Sequence, residues 1–150
     1  MDRPTTSTVS RSAVLDTGVA DPSEAAELFA RRLRTETDPS DVHADLAAGV
    51  PGFVVVDTRS RGAYAEAHVP GAVSLPHAEI TAEAVAAIPA LAGGAVAVTY
   101  CFGPHCNAAA KGALRLARLG VPAKEMIGGI DGWHAEGLPV ASGSAPGAIG

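Results

Sequence analysis

The sequence predicts an α/β fold on a mainly parallel sheet, and two observations carry that reading. Residues 53–56, Phe-Val-Val-Val, form a continuous apolar, β-rich run between Pro51-Gly52 and Asp57. Residues 95–100 form a second such run after Gly93-Gly94. Unbroken apolar runs of this length mark strands buried on both faces, as parallel strands are. The other observation is alternation. Helical stretches at 60–67, 80–88 and 107–119 separate these runs from each other and from shorter strand candidates at 72–75 and 124–127. Strands that alternate with helices build a parallel sheet with helices layered on it.

The ends of the elements follow from local chemistry. Asp21-Pro22-Ser23-Glu24 offers an Asp N-cap, Pro at the first helical position and Glu at the capping-box position, and the helix then runs to about Arg34. Asp38-Pro39-Ser40-Asp41 repeats the pattern, with the helix ending before Gly49. A short strand is expected over 33–37. The Ser- and Thr-rich residues 1–20 read as a flexible leader, 21–140 as a single domain, and 141–150, ASGSAPGAIG, as a flexible tail.

Composition excludes several function classes. The 150 residues suffice for one domain, and 47% hydrophobic against 18% charged residues supports a packed core. With 16 acidic and 11 basic residues the formal net charge is −5, which argues against nucleic acid as a partner because phosphate binding needs a basic surface. No apolar stretch approaches the ~18–20 residues that span a bilayer, so no membrane partner is expected. Residues 1–20 contain no apolar signal core, so the expected location is cytoplasmic. The two cysteines, Cys101 and Cys106, are too few for a disulfide framework.

In parallel α/β sheets function gathers at the C-terminal ends of the strands. Two such ends are prominent, Asp57-Thr58-Arg59 and the loop Cys101-Phe102-Gly103-Pro104-His105-Cys106-Asn107. A buried strand delivers Cys101, Gly103 and Pro104 force a turn, and Asn107 is suited to N-cap the next helix. That helix carries Lys111, Arg115 and Arg118 on one polar face and Ala109, Ala113 and Leu116 on the inner face. Loop N–H groups and a helix N-terminus converging on a sulfur form an anion cradle and favour a thiolate, so Cys101 is expected to titrate below the free value of ~8.5; the alternative reading is a small buried core residue, as free cysteines usually are. Cys106 is either a small residue filling space or a resolving thiol that attacks an oxidised Cys101. A zinc site is not expected, since neighbours in one tight loop do not converge on one metal.

Three segments in register resemble the rhodanese-like domain family. Val54-Val55-Val56-Asp57-Thr58-Arg59, Tyr64 and His68-Val69-Pro70-Gly71-Ala72 resemble its N-terminal half. The Tyr100-Cys101 loop resembles its active-site loop, and Gly128-Gly129-Ile130, Trp133 and Gly137-Leu138-Pro139-Val140 resemble its C-terminal end. The resemblance covers about residues 33–140. It implies a five-stranded, mainly parallel sheet with helices on both faces, and a cysteine, here Cys101, that carries sulfane sulfur as a persulfide without a cofactor. The loop residues Phe102, Gly103, Pro104, His105, Cys106 and Asn107 would then cradle the anion, with Asp57, Arg59 and His68 in support. The loop departs from the family at its fifth position after the cysteine, where many active members carry Arg and this chain has Cys106. Phosphatase chemistry, which needs that Arg to hold phosphate, is not expected.

The function expected is sulfur transfer from a small anionic donor, thiosulfate or a low-molecular-weight persulfide, through Cys101 to a thiol or cyanide. Two other readings stand beside it. One is a dithiol redox protein using Cys101 and Cys106, and the other a non-catalytic binding module that keeps the fold.

Overall fold

The computed structural model describes residues 10–149, so positions 1–9 of the expected leader lie outside the described residues. The chain divides into two compact units, Met1–Arg31 and Arg32–Gly150. The first contains a turn at 13–17 and the start of α1 (Pro22–Thr35). The Asp21 carboxylate accepts the Ser23 hydroxyl at 2.6 Å and the Ser23 N–H at 3.4 Å, as expected of a helix cap.

The second unit contains β1 (Glu36–Thr37), α2 (Pro39–Ala47), β2 (Phe53–Asp57), α3 (Arg61–Glu66) and β3 (Val73–Ser74). A 3₁₀ turn at His77–Glu79 leads to α4 (Ala82–Ala86), α5 (Pro89–Ala92) and β4 (Val96–Tyr100). It closes with α6 (Ala108–Arg118), β5 (Ala123–Met126) and α7 (Gly129–Ala135). The five strands lie in the order β1-β5-β4-β2-β3, and every pairing is parallel. β4 therefore sits at the centre, which is why its sequence is apolar on both faces.

The period-2 alternation of the strands divides the core in two. Val55, Val98 and Tyr100 face a cluster with Val42 of α2, Tyr64 of α3, and Ile130 and Trp133 of α7. Val56 and Ala97 face the opposite cluster with Leu91 of α5 and Leu116 of α6. Among the described residues no helix is long and apolar enough to cross a membrane.

The helix expected over 80–88 is present as α4, and an unanticipated short helix, α5, follows it, because Pro89 drives Ile88 to an extended conformation (φ −101°, ψ 106°) and starts a new helix at its own first turn. Two expectations are corrected. α7 was not anticipated, since Gly129 and Gly132 lower its intrinsic propensity. Finally, residues 141–149 are not a loose tail. Ala141 exchanges two hydrogen bonds with His68, both 2.9 Å, Gly71 N–H donates to Pro146 at 2.8 Å, and Ile149 packs on the core. The buried His68 ring stacks on Tyr64 at 3.7 Å and reaches the carbonyls of Tyr64 and Pro146 at 2.7 and 2.9 Å.

The C-terminal ends of β2 and β4 are tied by one buried polar network. Asp57 is fully buried and accepts from Arg59 Nη2 at 2.8 Å, from the Arg59 N–H at 2.9 Å and from the Tyr100 hydroxyl at 2.7 Å. Arg59 Nη2 also donates to the Ala67 carbonyl at 2.7 Å, and the Tyr100 oxygen accepts the Val69 N–H at 3.1 Å. Burial beside the Asp57 carboxylate pushes the Tyr100 phenol well above its usual range, so it remains a donor. Removing one partner of a buried ion pair strands the other charge and costs about 3–5 kcal/mol. Asp57→Ala is therefore expected to lower the unfolding free energy by about that amount. Urea denaturation followed by Trp133 fluorescence checks this, and a change within about 0.5 kcal/mol, typical of surface substitutions, would contradict it.

Candidate active site

β4 ends at Tyr100, and the next residue, Cys101, lies buried at the C-terminal edge of the sheet. The chain then turns back on itself, with the Cys106 N–H donating to the Gly103 carbonyl at 3.0 Å. This turn brings the two cysteines together. Both are free thiols, Cys101 buried and Cys106 partly exposed. Cys101 Sγ donates to the Cys106 carbonyl at 3.2 Å, and the two thiols lie close enough to shift each other's acidity.

The loop is gripped from behind by α7. The Ile130 N–H donates to the Cys101 carbonyl at 2.9 Å and the Asp131 N–H to the Phe102 carbonyl at 2.8 Å. A trans peptide points its N–H opposite its C=O. Turning these two carbonyls toward α7 therefore turns the N–H groups of Phe102 and Gly103 inward. The Phe102 N–H bonds the Cys106 sulfur and the Gly103 N–H bonds the Cys101 sulfur. The first turn of α6 completes the cradle, its Ala108 N–H on Cys106 and its Ala109 N–H on Cys101. Asn107 occupies the N-cap position but its side chain makes no cap bond, because the sulfurs accept the helix N-terminal donors in its place.

The charge of the pair does not lie where the sequence suggested. Burial raises the Cys101 thiol above its ordinary value, and its donation to Cys106 raises it further. The N–H groups of Ala109 and Gly103 do not offset these effects. Burial would also raise Cys106, yet the Ala108 N–H, the Cys101 thiol, the Phe102 N–H and the charge of Lys111 together hold it below its ordinary value. Of the pair, Cys106 is thus the more acidic thiol and Cys101 the less acidic.

A cavity of about 600 Å³ opens on this pair, and Cys101, Gly103, Pro104 and Cys106 line one wall. The other wall is acidic, with Glu36, Asp38, Glu125 and Glu136 against the single cation Arg32. Arg32 is itself paired with Glu36 at 3.6 Å. Burial, and then the neighbouring Glu36, push Glu125 above the usual carboxylate range. These acidic residues carry no motif and were not anticipated as part of the site. They come from β1, β5 and the ends of helices, which only the strand order brings together.

Of the remaining anticipated residues, Phe102, Pro104, His105 and Asn107 are exposed. Asp57, Arg59 and His68 are buried and do not line the cavity. Asp57 and Arg59 reach the loop indirectly, since the Arg59 guanidinium lies 5.0 Å from the centre of the Phe102 ring. His68 is engaged with the C-terminal segment instead. Trp133 anchors the chain end, fully buried with its indole N–H donating to the Pro139 carbonyl at 2.7 Å.

A family model described as "Rhodanese-like domain" matches residues 38–136, from the start of α2 to the end of α7. The chain belongs to the rhodanese-like domain family. A solved protein of Bacillus halodurans is 37% identical with a TM-score of 0.77, the match covering 86% of this chain and 92% of that one. Thiosulfate sulfurtransferase of Pseudomonas aeruginosa shares the fold, with a TM-score of 0.62 and 24% identity over 81% of this chain and 23% of that one. Among curated proteins, an HTH-type transcriptional regulator of Mycobacterium tuberculosis is 37% identical over 94 residues, 62% of this chain. That match spans only 39% of the regulator's length. The fold of this rhodanese-like domain is what the solved relatives share with this chain.

The order of acidity of the two thiols is open to measurement. Thiolates, not thiols, react with iodoacetamide. Between pH 6 and about 8.5, the free-thiol value, Cys106 is expected to be labelled first, with Cys101 following only at higher pH. Peptide mapping by mass spectrometry across that range reads the order directly. Preferential labelling of Cys101 at low pH would contradict it.

Proposed function

We propose that this protein is a sulfurtransferase that carries sulfane sulfur as a persulfide on Cys101. The observation that carries this reading is the convergence of the Gly103 and Ala109 N–H groups on the Cys101 sulfur at the wall of an open cavity. Fixed donors of this kind stabilise a sulfur anion without reorganisation as charge develops.

Cys101 rests as a thiol, so it must lose its proton to act. As Cys101 gives up its proton, its Sγ attacks the outer sulfur of a donor RS–SH. The donor S–S bond breaks, RS⁻ leaves and takes up a proton, and the sulfane sulfur stays on Cys101 as Cys101–S–SH. A thiol or cyanide then attacks that outer sulfur and restores the Cys101 thiolate. The cycle has two displacements, so ping-pong kinetics are expected. It draws on no cofactor. Free thiols and thiol acceptors suit a reducing compartment such as the cytoplasm.

The acidic wall bears on the choice of donor. Thiosulfate carries two charges and finds no guanidinium in the loop. A hydrogen bond to a charged group contributes about 1.5–3 kcal/mol, or roughly a ten- to hundredfold factor in rate or binding. A low-molecular-weight persulfide, with less charge to accommodate, is the better donor on this account.

Two outcomes are expected in a steady-state assay with cyanide or a thiol as acceptor. Cys101→Ser abolishes transfer while circular dichroism remains native. Wild-type kcat/KM for glutathione persulfide exceeds that for thiosulfate by about ten- to hundredfold. Wild-type transfer by a folded Cys101→Ser protein would overturn the assignment of the carrier. Equal kcat/KM for the two donors would remove the role given to the missing cation.

A further inference from the structure

We propose that Cys106 discharges the Cys101 persulfide within the same loop, releasing hydrosulfide and leaving a Cys101–Cys106 disulfide. The inference rests on the reading of Cys101 as persulfide carrier and adds where the sulfur goes next. Its basis is the position of Cys106. The turn closed by the Cys106 N–H on the Gly103 carbonyl folds the chain back, so that Cys101 Sγ lies 3.2 Å from the Cys106 carbonyl oxygen. The two thiols lie close enough to shift each other's acidity. A thiol already held against the sulfur it is to attack has a large advantage over thiols arriving from solution, as well-oriented intramolecular groups do.

The direction of attack follows from the same geometry. Cys101 is buried and Cys106 partly exposed, and both line the cavity. The N–H groups of Phe102 and Ala108 and the charge of Lys111 favour the anionic form of Cys106 and hold its pKa below the ordinary value. The more acidic thiol of the pair is therefore the better placed to act as the attacking nucleophile.

The step balances. Cys106 S⁻ attacks Sγ of Cys101–S–SH. The Sγ–S bond breaks, its electron pair leaves with the outer sulfur as HS⁻, and the persulfide proton stays on it. The two cysteines are oxidised to a disulfide and the sulfane sulfur is reduced to sulfide. The oxidising equivalent arrives with the persulfide itself, so no other oxidant is needed. Two low-molecular-weight thiols RSH then reduce the disulfide and leave as RSSR, which returns the loop to its starting state.

The test uses the full chain, reduced and freed of small thiols, given one equivalent of glutathione persulfide and quenched in acid. Intact mass and released sulfide are read for wild type and for Cys106→Ser, with Cys106→Ala as the substitute if the Ser variant does not fold. Wild type is expected to lose about 2 Da, the two thiol hydrogens, and to release about one sulfide per chain. The Cys106 variant is expected to gain about 32 Da on Cys101, one sulfur, and to release no sulfide beyond that of the donor alone. A wild-type protein that keeps the added sulfur and releases no more sulfide than the variant would overturn the proposal while leaving the carrier in place. A folded Cys106 variant that takes up no sulfur on Cys101 would overturn the carrier itself, and the proposal with it.

Discussion

The geometry of the cysteine loop depends on how closely α7 approaches it. Two N–H groups of that helix hold the carbonyls of Cys101 and Phe102, and the rigid peptide unit carries the effect through to the opposite side, where the Phe102 and Gly103 N–H groups meet the sulfurs. The approach is possible only because residue 129 is glycine. It has φ +59°, and a Cβ there would overlap the Cys101 carbonyl oxygen and come within 2.7 Å of the Phe102 carbonyl carbon and oxygen. Trp133, fully buried four residues later, holds the helix in that position. A second close fit lies at Gly103, where a Cβ would come within 2.9 Å of Asp131 Oδ2.

The unequal acidity of the two thiols follows from burial and the backbone rather than from any strongly charged side chain. No guanidinium lies in the loop, and the basic group acting on it, Lys111, adds to the hydrogen bonds on Cys106. Two thiols share one set of inward N–H groups, so they divide the benefit unequally. The buried one is pushed up and the more exposed one down. The acidic wall of the cavity disfavours anions entering from solution.

Much of this was legible in the sequence because parallel strands buried on both faces leave an unmistakable pattern. Val54-Val55-Val56 and Val96-Ala97-Val98 read as strands, and their C-terminal ends led to Asp57 and Cys101. Pairs of residues related by the fold were less accessible. Asp57, Arg59 and Tyr100 form one network, but only the register of β2 against β4, Asp57 opposite Tyr100, brings the phenol to the carboxylate. α7 was hidden by its glycines, which weaken a helix in isolation and are required where it meets the loop. The C-terminal segment looked loose by composition. It is ordered by hydrogen bonds from backbone groups of Ala141 and Pro146, and backbone partners leave no mark in side-chain composition. The acidity of the two thiols was assigned in reverse for a related reason. A helix N-terminus ahead of a cysteine loop predicts a cradle, but burial and the neighbour's position decide which sulfur gains from it.

The most direct measurement of the central claim is the thiolate titration of a Gly129→Ala variant. Thiolate ultraviolet absorbance would be followed against pH in wild type and in the variant, each confirmed as folded by Trp133 fluorescence. If the approach of α7 aims the loop N–H groups, the added Cβ pushes the Cys101 and Phe102 carbonyls away and the Phe102 N–H leaves Cys106. The acidic titration is then expected to move up toward the free-thiol value of about 8.5. An acidic titration that stays at its wild-type position in folded Gly129→Ala protein would contradict the account, because the cradle would then be set by the loop alone.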